Sequence, residues 1–131
     1  MKKDIHIPKV EDVHVAIVQE RHLDYQTMDW NAYIINNKDV DLETVLIASK
    51  GYSKDKITPV MRHTIEKLPA RSYAKIEFLQ EEVLSLNNEF KITFFIANDL
   101  FDKTYTFRKN TINERALQKV PLMQLKGVLS N

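Results

Sequence analysis

Seven stretches of this chain alternate apolar and polar residues with a period of two, and that repetition constrains the fold more than any other feature of the sequence. Period-two runs rich in β-branched and aromatic side chains are the signature of strands with one dry face. They are residues 13–20, 30–37, 43–50, 60–67, the second half of 67–79, 90–97 and 103–109. In phase along them stand Val13, Val15 and Ile17; Trp30, Ala32 and Ile34; Val45 and Ile47; Met61, His63 and Ile65; Ala74, Ile76 and Phe78; Phe90, Ile92, Phe94 and Ile96; Tyr105 and Phe107. On the fifth run Tyr73, Lys75 and Glu77 fall on the opposite, wet face.

The punctuation between the runs agrees with strands. The chain has only two glycines, Gly51 and Gly127. Asn36-Asn37-Lys38-Asp39, Asn87-Asn88 and Asn98-Asp99 take their place in the turns, because Asn and Asp tolerate left-handed backbone angles. Pro59 and Pro69 flank the fourth run, where a missing N–H costs no ladder bond. Segment 80–89 is expected to form about one helical turn. Short strands joined by turns predict an all-β fold: two antiparallel sheets of about seven strands packed face to face as a sandwich. Ala74, Ile76 and Phe78 should then face the row Phe90, Ile92, Phe94 and Ile96 and the Trp30 strand. Burying one Phe or Ile contributes about 1.5–3 kcal/mol, so this row is expected at the centre of the core.

With 131 residues the chain fits a single domain, 1–131. Residues 1–12 read as an N-terminal arm and 111–131 as a C-terminal helix and tail. Thr111-x-x-Glu114 has the form of a capping box ahead of "NERALQK", which predicts a short helix ended by Pro121. The last stretch, "PLMQLKGVLSN", carries Leu122, Met123, Leu125, Val128 and Leu129. A tail so apolar is expected to fold back over a sheet edge, or else to dock on a second subunit.

Two likenesses attach to these residues. "IEKLPARSYAKIEFL" resembles the D–E region of bacterial immunoglobulin-like sandwiches, and "FKITFFIANDLFDKTYTFRKN" resembles their F–G hairpin. This implies an immunoglobulin-like sandwich without the cystine or the corner tyrosine. Taken whole, and notably in "DWNAYIINN", "MRHTIEKLPARSYAKIEFLQEEVLSLNNEF" and "FRKNTI", the chain resembles a family of short uncharacterised bacterial proteins, some of which carry the name phenylalanyl-tRNA synthetase alpha subunit. Class II synthetases use an F-R-x-E motif and a glycine-rich third motif. Here Phe107-Arg108-Lys109-Asn110 has Asn in place of the Glu, and two isolated glycines build no such loop. What the name then implies is an accessory role in translation, touching tRNA or a synthetase.

Chemistry is sparse. Lys and Arg number 19 and Asp and Glu 18, a net charge of +1 that gives no electrostatic footprint for nucleic acid or an anionic membrane. With no cysteine there is no disulfide, thiolate ligand or thiol nucleophile. No secretory signal and no membrane-spanning run is read, and a cytoplasmic location is expected. Glycine-rich phosphate loops and G-x-S-x-G are missing. His6, His14 and His22 recur every eight residues, about 26 Å on one strand, so they do not converge on a metal. Asp39, Asp41 and Glu43 lack the glycine and distal Glu of a calcium loop. His63, in phase with Met61 and Ile65, is expected partly buried with its ring nitrogens bonded to backbone or to a tyrosine, while adjacent Arg62 points the other way.

No catalytic residue, metal site or cofactor is assigned. The expected function is that of a non-catalytic binding or protein-interaction module, with Arg62, His63, Leu122, Met123 and Leu125 as candidate contacts. Self-association through a sheet edge or the tail is its simplest form. The alternatives are a translation accessory protein contacting tRNA or a synthetase and a small hydrolase centred on His63.

Overall fold

Each of the seven alternating runs is a strand in the computed structural model, which describes residues 8–130. They are β1 (Val13–Arg21), β2 (Met28–Asn36), β3 (Leu42–Tyr52), β4 (Met61–Leu68), β5 (Ser72–Leu79), β6 (Asn87–Ile96) and β7 (Asp99–Phe107). Two short strands follow, β8 (Gln118–Lys119) and β9 (Lys126–Leu129). One sheet has the order β5-β2-β1-β9-β8 and the other β4-β3-β6-β7, with every pairing antiparallel. Setting β8 and β9 aside, β5-β2-β1 faces β4-β3-β6-β7, the Greek-key connectivity of an immunoglobulin-like sandwich whose fourth strand pairs with the third.

The core lies where the alternation put it. Phe90, Ile92 and Phe94 on β6 are buried against Val15 and Ile17 of β1, Ile34 of β2 and Ile47 of β3. Phe90 meets Phe107 edge to face at 5.9 Å, and Phe94 stacks on Phe101 at 5.2 Å. Ile76 and Phe94 are both dry, so the two layers close over the centre of β6. Tyr105 reaches across the layers and donates its hydroxyl to the Val13 carbonyl at 2.6 Å. Burial holds that phenol above its ordinary pKa, consistent with a neutral donor.

The turn residues do more than turn. Asn36, fully buried, donates to the carbonyls of Val40 at 2.9 Å and Pro69 at 3.0 Å. Asp39 receives Arg71 at 2.6 Å, and Asp41 accepts from the Ala70 N–H at 2.8 Å. The β2–β3 turn thus grips the chain where it crosses from β4 to β5.

Three expectations need correction. Phe78 is half-exposed and Leu79 takes the buried place. The register of β2 on β5 shifts between Ala32 and Tyr33, leaving an extra residue on β5. That β-bulge reverses the alternation beyond Ile76. Met61 is also half-exposed, because β4 is the edge of its sheet. The C-terminal helix does not form; a single short 3-10 turn, Glu114–Ala116, stands there instead. Its cap is Asn113, which accepts from the Arg115 N–H, while the Thr111 hydroxyl donates to the Arg108 carbonyl. Leu117 is already extended, and the chain beyond it is drawn into the first sheet by the pairing of β8 with β9. The helical turn expected in 80–89 is present as a 3-10 helix, Glu81–Ser85.

The tail folds back, the first of the two arrangements expected of it. β9 pairs with β1 through Ala16, Ile17 and Val18. Val120 and Met123 lie over Ala16, Val18 and Ile35, forming a second, smaller core on the far face of the first sheet. Of the N-terminal arm, Val10 is buried and the Asp12 carbonyl accepts from the Asn37 N–H at 2.8 Å; His6 lies outside the described residues. Among the described residues no helix is long and apolar enough to cross a membrane.

Candidate functional site

The bulge in β5 turns Glu77, which simple alternation would leave in water, into the space between the sheets. Its Oε1 accepts the Ser49 hydroxyl from β3 at 2.6 Å and lies 2.9 Å from Nε2 of His63 on β4. The His63 and Glu77 side chains are 27% and 21% exposed. One carboxylate oxygen therefore joins three strands of two sheets. His63 is partly buried and bonded, as its phase implied, but to a carboxylate that sequence phase had assigned to the other face.

The set Ser, His and Glu invites comparison with acyl-transfer triads, and the connectivity differs. In a triad the hydroxyl gives its proton to the imidazole and the carboxylate stands behind the ring. Here the Ser49 hydroxyl donates directly to Glu77, and the carboxylate sits between serine and histidine. The arrangement ties the two layers together rather than activating Ser49.

Beside this clasp a cleft of about 490 Å3 opens between the ends of β3, β5 and β6 and the β3–β4 hairpin. Phe90 and Val83 form its apolar depth, Met61, Pro59 and Phe78 its sides, and Lys50, Lys56 and Glu82 its rim. Ser49 and Glu77 line it too. Only Oε1 of Glu77 is engaged; Oε2 makes no hydrogen bond among the described residues. A larger, more polar depression of about 720 Å3 lies by Tyr52, Asn87, Arg108, Thr111 and Gln118, with no buried charge directed into it.

The residues singled out from sequence are scattered. Arg62 is exposed on the outer face of its sheet, by Leu46, Ala48, Lys91 and Thr93. Met123 is buried in the second core, whereas Leu122 and Leu125 are 41% and 40% exposed on the same strap. Sequence reasoning missed Glu77 and Ser49. Ser49 was within reach, since a hydroxyl in phase with Val45 and Ile47 needs a partner; Glu77 carried no local sign of the bulge that turns it. His14 and His22 do not converge: His22 accepts through Nδ1 from the Asp24 N–H at 3.1 Å, and no group of three His, Cys, Asp or Glu residues is arranged to hold a metal among the described residues. Comparison with protein-family models, with curated proteins and with solved structures found no match, so the functional reading rests on this geometry alone.

Proposed function

We propose that the chain is a non-catalytic protein-interaction module that takes an extended segment of a partner protein in the cleft beside Glu77. The observation that carries this reading is the gathering of large apolar side chains at its mouth. Met61 and Phe78 are 52% and 49% exposed on its sides, next to Pro59 and above the apolar floor of Phe90 and Val83. Contiguous exposed apolar surface around a concavity is characteristic of recognition sites. The free Oε2 of Glu77 would receive a lysine or arginine of the partner, whose stem would lie along Phe78 and Met61. Binding is favoured over hydrolysis because, among the described residues, no hydroxyl hydrogen-bonds the His63 ring as a nucleophile would, and Ser49 gives its proton to Glu77 instead.

A random peptide display library supplies the test. Selection on the wild-type protein is expected to enrich sequences with a basic residue among apolar ones. Their affinity should fall about tenfold or more in Phe78→Asp, as expected when an apolar anchor of an interface is removed. Glu77→Gln keeps the clasp geometry and should remove the preference for the basic residue. Failure to enrich any peptide, or binding indifferent to both substitutions, overturns the reading.

A further inference from the structure

We infer that the outer edge of β4 pairs antiparallel with β4 of a second copy of this chain, in one register centred on Thr64. This edge meets the cleft only at Met61, and the inference rests on the backbone of β4 and its outer-face side chains, whatever the cleft holds. β4 is eight residues long and, among the described residues, pairs only with β3. Among the described residues, no backbone group of Met61–Lys67 bonds anything beyond that strand. A row of unpaired N–H and C=O groups is a template for another strand. β5, the edge of the opposite sheet on the same side, is broken by its bulge, and β8 has two residues. Both are poor templates; β7, the other edge of the β4 sheet, is nine residues long, but Leu100, Asp102, Thr104 and Thr106 on one face of it include a single charge and so no opposite-charge self-pairing.

The side chains specify the partner. Arg62, Thr64 and Glu66 share the outer face of β4, all three are exposed, and neither Arg62 nor Glu66 has an ion-pair partner among the described residues. When two identical strands continue one sheet about a two-fold axis, residues equally spaced either side of the axis lie opposite each other on the same face. An axis through Thr64 therefore sets Arg62 of each copy against Glu66 of the other. It also sets the two Thr64 side chains together. Opposite charges and threonine pairs both stabilise cross-strand contacts. Other registers lack this match. An axis through Arg62 or Glu66 puts like charges opposite each other. An axis through His63 faces Arg62 with Thr64 and Glu66 with Val60, and one through Ile65 faces them with Leu68 and Thr64. The charges that would repel indiscriminate strand addition thus select one self-complementary pairing. The product is a continuous eight-stranded sheet, β7-β6-β3-β4 with its symmetry copy, built of four strands from each chain.

Sedimentation and native mass spectrometry on the full chain decide the matter. The wild-type protein is expected to pass from monomer to dimer with rising concentration. R62E and E66R each place like charges opposite one another, and each should weaken the dimer about tenfold. Both positions are exposed, so the variants should keep the wild-type circular dichroism. Mixed in equal amounts, R62E and E66R restore both opposite-charge pairs, and the mixed dimer should dominate at concentrations where each variant alone is monomeric. A wild type that stays monomeric at the highest attainable concentration overturns the inference. So does a dimer indifferent to both substitutions, or a mixture that remains monomeric.

Discussion

Thr44 and Ala97 hold backbone angles that side chains resist. Their φ values are 49° and 54°, in the left-handed region, and both residues are exposed. Ala97 is the first of two residues linking β6 to β7, the place where the II′ hairpin turn ordinarily has glycine. Thr44, β-branched and so more resistant, lies where the β3–β6 register shifts. Neither of the two glycines has a positive φ, and among the described residues side chains bear the cost at seven positions. Removing the Cβ at Ala97 relieves about 1 kcal/mol of local strain. Ala97→Gly is therefore expected to stabilise the protein by that amount in urea denaturation, and a loss of stability would show that the hairpin is not strained there. At this scale most of the core was legible: Phe90, Ile92 and Phe94 are buried as their phase required. Glu77 was not, because an extra residue in β5 leaves the local pattern of apolar and polar residues unchanged while reversing every side chain after it.

Among the elements, β9 is the one whose place in the fold depends most on contacts far away in sequence. Four residues are too few to hold a strand by themselves, and β9 stands because β1 offers it an edge and Val120 packs over that junction. Gly127 is the contact point. A Cβ there would meet the Ile17 carbonyl oxygen at 3.0 Å, Val120 Cγ2 at 3.0 Å and Val18 Cγ2 at 3.1 Å. The carbonyl belongs to a central strand and has little room to move. Gly127→Ala should thus cost about 1–3 kcal/mol, read as a lower urea midpoint with an unchanged slope. An unaltered midpoint would mean that β9 yields at no cost. The expected helix failed for a related reason. Thr111-x-x-Glu114 is a sound local start signal, but a short helix gives less than the pairing of β8 with β9 and the burial of Val120 and Met123 around the turn between them and of Val128 on β9.

On the scale of the whole molecule, closing the two layers brings charges together that lie far apart in the chain. His14 on β1 is held below its ordinary pKa of 6.5, first by burial and then by Lys103 of the opposite sheet, with Asp12 opposing. The unfolded chain then takes up the proton first as the pH falls. Stability from this group is complete above 6.5 and declines below it, towards the lower folded value. Thermal melts between pH 7 and 5 should show this decline, and it should be shallower in His14→Gln. An identical slope in the variant would assign the decline to other groups.

Sequence alone determined the seven long strands, the two dry layers and the residues at their centre. Side-chain alternation is a local property, and burying apolar surface rewards any fold that respects it. Tertiary structure alone decided which strands lie at the edges, where β5 bulges, and that the tail becomes sheet rather than helix. Those outcomes depend on what each segment meets across the sandwich, and the free energy of such contacts belongs to pairs of segments far apart in the chain, not to either one.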